Sequence, residues 1–214
     1  KPMKQTRDYP RLTVTEKAEK LIRAGHPWIY HTEVFDAPSC EDGALTDVLN
    51  RKGSYLGTGF YNSRSKIRVR LISRNANDRF DEAFFRRRLC YAWDYRKAVM
   101  GEDADCCRLI FGEADFFPGL TVDRFGDILV TQTLCLGIER IKPMLLEALC
   151  AILREDGQEI RAVYERNDVA IRELEGMEQG KGFLPLPSLP DPPASTKTQI
   201  TENGVRYLVD YENG

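Results

Sequence analysis

Three basic side chains alternate along one predicted strand, at a spacing that suits contacts with a polyanion. Residues 66–72 have the sequence Lys-Ile-Arg-Val-Arg-Leu-Ile. Because successive side chains of a strand point to opposite faces, Lys66, Arg68 and Arg70 share one face and the aliphatic residues share the other. Basic groups at this separation can meet successive phosphates of a nucleic acid. The alternative is an ordinary solvated face of a half-buried strand.

Further candidate contacts with a nucleic acid surround this strand. Trp28 is able to stack on an unpaired base, although a Trp between Pro and Ile is more often a core residue. His26 is able to contact phosphate or ribose, or is a loop histidine without a role. The full set of predicted nucleic-acid contacts is Lys20, Arg23, His26, Trp28, Arg64, Lys66, Arg68 and Arg70.

The motifs of a self-contained catalytic centre are missing from the sequence. It has no phosphate-binding P-loop, dinucleotide fingerprint, nucleophile elbow or zinc-protease motif, and its only histidines are His26 and His31. The six cysteines include no C-x-x-C pair, which argues against zinc. We therefore predict no catalytic, cofactor-binding or metal-binding residue. Cys135 and Cys150 have apolar neighbours and are predicted to be buried thiols, which fits a reducing cytoplasm best.

The charge is distributed unevenly along the chain. Residues 1–76 hold 14 Lys and Arg against 8 Asp and Glu, whereas residues 77–214 hold 17 against 25. The first third of the chain is basic and the remainder is acidic, which indicates a polyanionic partner for the first third. No run of 18 apolar residues occurs, so the sequence predicts no transmembrane helix and no membrane partner.

The secondary structure that must position these groups is predicted from the sequence pattern, which indicates a mixed α/β chain. Thr15 is a predicted helix cap, and Gly25 followed by Pro27 ends that helix. Short strands with glycine turns then predict a small β-barrel over residues 1–76. Residues 77–183 predict an α+β domain of the strand-strand-helix-strand-strand type that opens with an amphipathic helix.

Two segments follow the predicted α+β domain. Residues 180–196 contain five prolines, and we predict that they lie outside the core, with a stiff linker at 184–196. Residues 197–214 predict a β-hairpin, because Asn203-Gly204 separates two alternating segments.

Several sequence segments resemble those of one protein family. Residues 25–30 (Gly-His-Pro-Trp-Ile-Tyr), 57–62 and 65–70 are similar to a PUA-type RNA-binding module. Residues 118–126 (Pro-Gly-Leu-Thr-Val-Asp-Arg-Phe-Gly) form the motif that is most specific for this family. They resemble the central domain of PUA-containing, S-adenosylmethionine-dependent methyltransferases that modify cytosine C5 of large-subunit ribosomal RNA. Phrases at 165–168, 172–176 and 202–204 follow in the order of that family.

The resemblance implies an RNA-recognition portion that is inactive alone. In the family, the Asn-Gly hairpin leads into a catalytic Rossmann domain that binds S-adenosylmethionine and holds the nucleophilic Cys. Both are expected beyond Gly214, so this chain is expected to bind no cofactor. The expected partner is RNA, with large-subunit ribosomal RNA as the target, and a homodimer is allowed. The loop with Arg166 and Asp168 is expected to contact RNA or the catalytic domain. Phe116 departs from the family, which has a small or polar residue there.

Two other functions are compatible with the residues. The chain is able to act as a non-enzymatic PUA-type RNA-binding adaptor. It is also able to belong to a different RNA-modifying enzyme with a PUA domain, such as a pseudouridine synthase. The second alternative needs a catalytic Asp in its own fold, and the central phrases do not resemble that fold.

Overall fold

The computed structural model describes residues 8–37 and 39–213. In that part of the chain, the strands form a six-stranded sheet, a five-stranded sheet and a two-stranded hairpin. The six-stranded sheet belongs to the first third of the chain, and the five-stranded sheet belongs to the middle. This arrangement confirms the predicted mixed α/β class that ends in a β-hairpin.

The six-stranded sheet surrounds the first hydrophobic core. Its strands lie in the order β2-β6-β5-β4-β1-β3, and the elements are β1 (Arg11–Val14), α1 (Glu16–Arg23), β2 (Trp28–Tyr30), β3 (Val34–Asp36), β4 (Leu45–Leu49), β5 (Tyr55–Tyr61) and β6 (Ile67–Ser73). The Thr15 side chain accepts a hydrogen bond from the Ala18 amide at 3.3 Å, so the predicted helix cap is confirmed. Val69 and Leu71 point into the core, as the alternation of β6 predicts.

The five-stranded sheet has the order β11-β10-β9-β8-β7 and carries two long helices on one face. Its elements are α2 (Glu82–Met100), β7 (Cys106–Phe111), β8 (Leu120–Phe125), β9 (Ile128–Thr133), α3 (Leu136–Glu155), β10 (Ala162–Asn167), α4 (Ile171–Leu174) and β11 (Gly180–Leu184). β9 and β10 are parallel and are joined by α3, whereas the other pairs are antiparallel. Side chains of α2 and α3 form the main core with this face.

The C-terminal hairpin covers part of the opposite face. β12 (Lys197–Glu202) and β13 (Val205–Asp210) pair around Asn203 and Gly204, whose φ angles of 49° and 77° are those that a tight Asn-Gly turn requires. The following Tyr211 packs edge-on against Tyr164 of β10, with 5.2 Å between ring centroids. The predicted hairpin is therefore confirmed.

The prediction that residues 180–196 lie outside the core is wrong for the first half of that segment. Gly180–Leu184 forms β11, which pairs with β10. Leu186 is buried in the main core, and Leu184 and Leu189 pack against it. The prolines made this segment look like a linker, because proline ends helices and strands. The leucines between the prolines can nevertheless pack against the core.

None of the helices in the described ranges is long and apolar enough to cross a membrane.

The two sheets meet where β5 touches the start of α3. Phe60 of β5 is buried in the main core rather than in the core of its own sheet. It lies directly against Gly137 of α3, where any Cβ would overlap the Phe60 ring. Only a glycine therefore allows this close approach between the two parts of the chain.

We expect Gly137→Ala to lower the free energy of unfolding by about 1–3 kcal/mol, because an added methyl group overpacks a closed contact. Urea unfolding followed by circular dichroism measures the change. Gly180→Ala is the matched control, since a Cβ at Gly180 meets no atom within 4 Å. Equal unfolding midpoints for the two variants would contradict this account of the contact.

Candidate nucleic-acid interface

The outer side of β2 and β6 collects aromatic and basic side chains. Trp28 pairs directly with Arg70 across the two strands, and the Arg70 guanidinium carbon lies 5.6 Å from the centroid of the Trp28 ring. His26 stacks on Tyr30 at 6.2 Å and meets Trp28 edge-on at 6.0 Å. We call this set the basic–aromatic face, and it consists of His26, Trp28, Tyr30, Lys66, Arg68 and Arg70.

One end of the basic–aromatic face is occupied by internal partners. Arg70 is buried and forms ion pairs with Glu113 at 3.3 Å and Glu175 at 3.1 Å. Trp28 donates its indole N–H to the same Glu113 carboxylate at 2.7 Å. Carboxylates engage the Trp28 N–H and both terminal nitrogens of Arg70, whereas the buried Arg70 Nε has no hydrogen-bond partner among the described residues. This end therefore suits a structural role better than phosphate binding. The sequence predicted that Arg70 would be an exposed phosphate contact, whereas in the structure it is buried and paired with carboxylates.

The other end of the face is open. Lys66 is exposed at the start of β6, and Arg68 is half-buried. Arg68 donates from Nη1 to the Asn62 backbone carbonyl at 3.2 Å, which orients the guanidinium but leaves other donors available. Among the described residues, neither side chain has a carboxylate within 4.0 Å. These two cations therefore keep the charge that a phosphate would bind.

The remaining predicted contacts lie in two different settings. Arg23 donates two hydrogen bonds to Glu19, at 3.0 and 2.8 Å, whereas Lys20 is exposed on the same helix. Arg64 is exposed, and its aliphatic stem lies over Gly176, where a Cβ would meet the Arg64 Cδ at 3.0 Å. Arg64 therefore reaches across to the chain that follows α4.

Sequence reasoning missed the residue that organises this region. Glu175 directly follows α4, and its buried carboxylate accepts hydrogen bonds from Arg70, from the Asn62 amide at 3.1 Å and from the Ser65 hydroxyl. It therefore ties the turn between β5 and β6 to the middle of the chain. Its partners lie more than 100 positions away in sequence, so no local pattern marks it.

A second polar cluster lines an open cleft of about 500 Å³ at the ends of β9 and β10. Lys142 is buried and pairs with Glu139 at 2.8 Å and with Glu165. Arg172 pairs with Glu139 at 3.2 Å. Burial raises the pKa of Glu139, but hydrogen bonds from Lys142 and Arg172 outweigh it and hold that pKa below its ordinary value. Two cations balance two carboxylates here, so the cluster presents little net charge to a ligand.

The loop after β10 contacts the C-terminal hairpin. Arg166 pairs with Asp168 at 3.2 Å and donates from Nη1 to the Tyr211 backbone carbonyl at 3.3 Å. These contacts hold the end of the hairpin against the five-stranded sheet. A contact between Arg166 or Asp168 and RNA or another domain stays a prediction.

Five of the six cysteines are weakened as nucleophiles in this structure. Burial raises the pKa of Cys135 to about 11 and that of Cys150 to about 12. Burial also raises the pKa of Cys40, Cys106 and Cys107. Since the thiolate is the reactive form, these shifts oppose nucleophilic chemistry. Within the described residues, no three His, Cys, Asp or Glu side chains are grouped to hold a metal ion.

The sequence of this chain is similar to a domain family and to curated proteins of known name. Residues 12–74 match a family model described as a PUA-like domain, which confirms the predicted PUA-like fold of this part. The chain is 36% identical over 212 residues to Ribosomal RNA large subunit methyltransferase I of Klebsiella pneumoniae, covering 96% of this chain and 50% of that protein. The protein of the same name from Cronobacter sakazakii is 36% identical over 206 residues, covering 95% and 50%. The chain thus spans about half the length of these curated relatives.

Two solved structures share the fold. One, from Streptococcus mutans and described as a candidate SAM-dependent methyltransferase, has a TM-score of 0.71 at 19% identity. The other is SMU.776, a candidate methyltransferase complexed with SAH, with a TM-score of 0.72 at 20% identity. Each match covers 92% of this chain and 47% of the other chain. At these identities the likeness concerns the fold.

We expect Glu175→Ala to destabilise the chain by about 3 kcal/mol, because it removes one of the two carboxylates that neutralise a buried guanidinium. Thermal and urea unfolding measure the loss. Glu173→Ala is the matched control on the exposed side of α4, and its effect should stay within about 0.5 kcal/mol. Similar losses in both variants would show that Glu175 has no special role between the two sheets.

Proposed function

We propose that this chain is the RNA-recognition part of an S-adenosylmethionine-dependent RNA methyltransferase. Its substrate is large-subunit ribosomal RNA, the modified atom is cytosine C5, and methyl transfer takes place on residues outside these 214. The observation that carries the proposal is the open end of the basic–aromatic face, Lys66 and Arg68. It lies on a PUA-like domain in a chain homologous to Ribosomal RNA large subunit methyltransferase I.

The chemistry of RNA recognition supports this assignment. Proteins hold RNA through phosphates and 2′-hydroxyls, and they stack unpaired bases on planar side chains. The basic–aromatic face offers both kinds of group on adjacent strands. Arg68 and Lys66 contribute cations without a carboxylate partner among the described residues, and His26 and Tyr30 contribute partly exposed rings in and just before the adjacent strand β2. The neighbouring Trp28 and Arg70 are held rigid by Glu113, so the face is organised before RNA binds.

The chemistry of cytosine methylation supports a reaction centre elsewhere. Attack on C6 of the base requires a thiolate, and the methyl donor must lie close to the target carbon. The target base must also leave its stack. Burial disfavours the thiolate form of Cys135 and Cys150 most strongly, and neither is exposed to a substrate. The residues of this chain therefore suit holding and presenting RNA rather than forming the covalent bond.

We expect the 214-residue chain to bind a labelled RNA hairpin with an unpaired loop, with an affinity that falls as salt rises. Arg68→Ala should lower the slope of log K against log salt by about 0.7–0.9, which corresponds to one lost phosphate contact. Fluorescence anisotropy across a salt series measures this slope. Arg161→Ala removes an exposed Arg just before β10, away from the basic–aromatic face, and should leave the slope unchanged. Binding that ignores salt, or equal slopes for Arg68→Ala and wild type, would contradict the proposal.

We expect Cys135 and Cys150 to resist alkylation by iodoacetamide in the folded chain at pH 8. With pKa values near 11 and 12, the thiolate fraction is on the order of 100-fold or more below that of an unperturbed thiol near 8.5. Mass spectrometry of native and urea-unfolded chain gives the two rates. Rapid labelling of either residue in the native chain would show a reactive thiol here and would weaken the case for an external nucleophile.

A further inference from the structure

A cleft of about 550 Å³ opens between the first sheet and the helices of the middle part of the chain. We propose that this cleft binds one unpaired nucleotide of the RNA, with its base stacked on Phe116 and its phosphate held by Arg88 and Arg74. This inference rests on the proposed function and extends the RNA-binding surface beyond the PUA-like domain. A cavity of this size suits a single small ligand rather than a duplex.

Phe116 has an unusual conformation for a bulky residue. Its φ and ψ angles of 62° and 29° lie in the left-handed region, where glycine or asparagine is preferred. The next residue, Phe117, is fully buried in the main core and fixes the backbone in place. The Phe116 ring itself is 60% exposed and contributes little to that core. A strained backbone that displays an aromatic ring at a cleft is typical of ligand-binding positions.

Arg88 lies beside this ring with unused hydrogen-bond donors. Its guanidinium carbon is 4.2 Å from the Phe84 ring centroid and 5.1 Å from the Phe116 centroid, and Nη1 donates to the Phe116 carbonyl at 3.2 Å. No carboxylate of the described residues lies within 4.0 Å of it. Burial lowers the pKa of Arg88 to about 10, so the group stays charged at neutral pH. A phosphate oxygen would satisfy the remaining donors.

The acidic side chains of the cleft are already engaged. Asp78 accepts hydrogen bonds from the Ser73 hydroxyl at 2.5 Å and from the Asn75 amide at 3.1 Å. Glu113 accepts from Trp28 and Arg70 of the basic–aromatic face. Ser73 and Asn75 are uncharged, so they do not cancel the Asp78 carboxylate, which lies near enough to favour the charged form of Arg88. Arg88 and the exposed Arg74 have no carboxylate of the described residues within 4.0 Å, so both keep donors for a phosphate.

The cleft is continuous with the basic–aromatic face. Gly25 and Pro27, which lead into β2, line the cleft together with Glu113. Glu113 is also the group that holds Trp28 in place. An RNA strand that lies along β2 and β6 can therefore direct one unstacked nucleotide into the cleft without leaving the protein surface.

The test uses the 214-residue chain and an RNA hairpin with 2-aminopurine in its unpaired loop. Stacking on Phe116 should quench the fluorescence of the bound base. Phe116→Asn keeps a residue that tolerates the left-handed conformation, so its melting temperature should equal or exceed that of the wild type. Its affinity for the hairpin should fall by about 10-fold or more, and the quenching should disappear.

Phe35→Ser is the matched control. Phe35 is also an exposed phenylalanine with an arginine stacked on it, since the Arg51 guanidinium lies 4.0 Å from its ring centroid. It belongs to β3, at the edge of the first sheet opposite to β2. This variant should bind RNA like the wild type. Arg88→Gln should lower the salt slope by about 0.7–0.9 in the same assay.

The outcomes separate this inference from the proposed function. If the wild-type chain binds RNA with the expected salt dependence but Phe116→Asn keeps full affinity and quenching, the nucleotide site in the cleft is wrong and RNA recognition by the basic–aromatic face stands. If Phe35→Ser loses as much affinity as Phe116→Asn, the effect is not specific to the cleft and the inference is also wrong. A wild-type chain that binds no RNA would overturn both proposals.

Discussion

The buried guanidinium of Arg70 joins the two halves of this structure. It extends from β6 of the first sheet and meets Glu113 and Glu175, which both belong to the middle of the chain. Removing a guanidinium from water is costly unless charged partners and hydrogen bonds replace that water. Glu175 also accepts from Asn62, whereas the buried Arg70 Nε has no hydrogen-bond partner among the described residues. The two ion pairs of Arg70 and the close packing of the adjacent Phe60 therefore help to fix the PUA-like sheet against the central sheet, together with the ion pair between Glu41 and Arg140.

This arrangement also explains how charge is divided over the basic–aromatic face. Arg70 and Trp28 are engaged at the junction between the sheets. Arg68, which lies earlier in β6, and Lys66, which directly precedes the strand, have no carboxylate of the described residues within 4.0 Å. The same strand thus has a structural end and an open end. Alternation in the sequence predicts one side for all three cations, but a register shift interrupts the pairing of β2 with β6 at Arg68, and the partners of each cation decide which stay available.

Local chemistry made much of the fold predictable. The Thr15 cap and the turn at Asn203 depend on neighbours within a few positions, and the structure confirms both. The alternation of β6 is confirmed for Val69 and Leu71 but not for Ile67, which lies outside the core beside a register shift. The parts that sequence reasoning missed depend on distant partners. Glu175 acquires its role from a strand more than 100 residues earlier. β11 forms directly before the prolines because β10 offers an edge with which it can pair, and β10 lies too far away in sequence to be seen from the residues of β11 alone.

The cleft follows from the same junction. Glu113 lies in the short segment 112–115 that leads into Phe116, and its contacts with Trp28 and Arg70 fix that segment against β2. The backbone at Phe116 is then determined from both sides, by Glu113 before it and by the buried Phe117 after it. A left-handed phenylalanine is tolerated there because the surrounding contacts leave no other path for the chain. The ion pairs that attach one sheet to the other therefore also hold an exposed aromatic ring beside an arginine that has no carboxylate of the described residues within 4.0 Å.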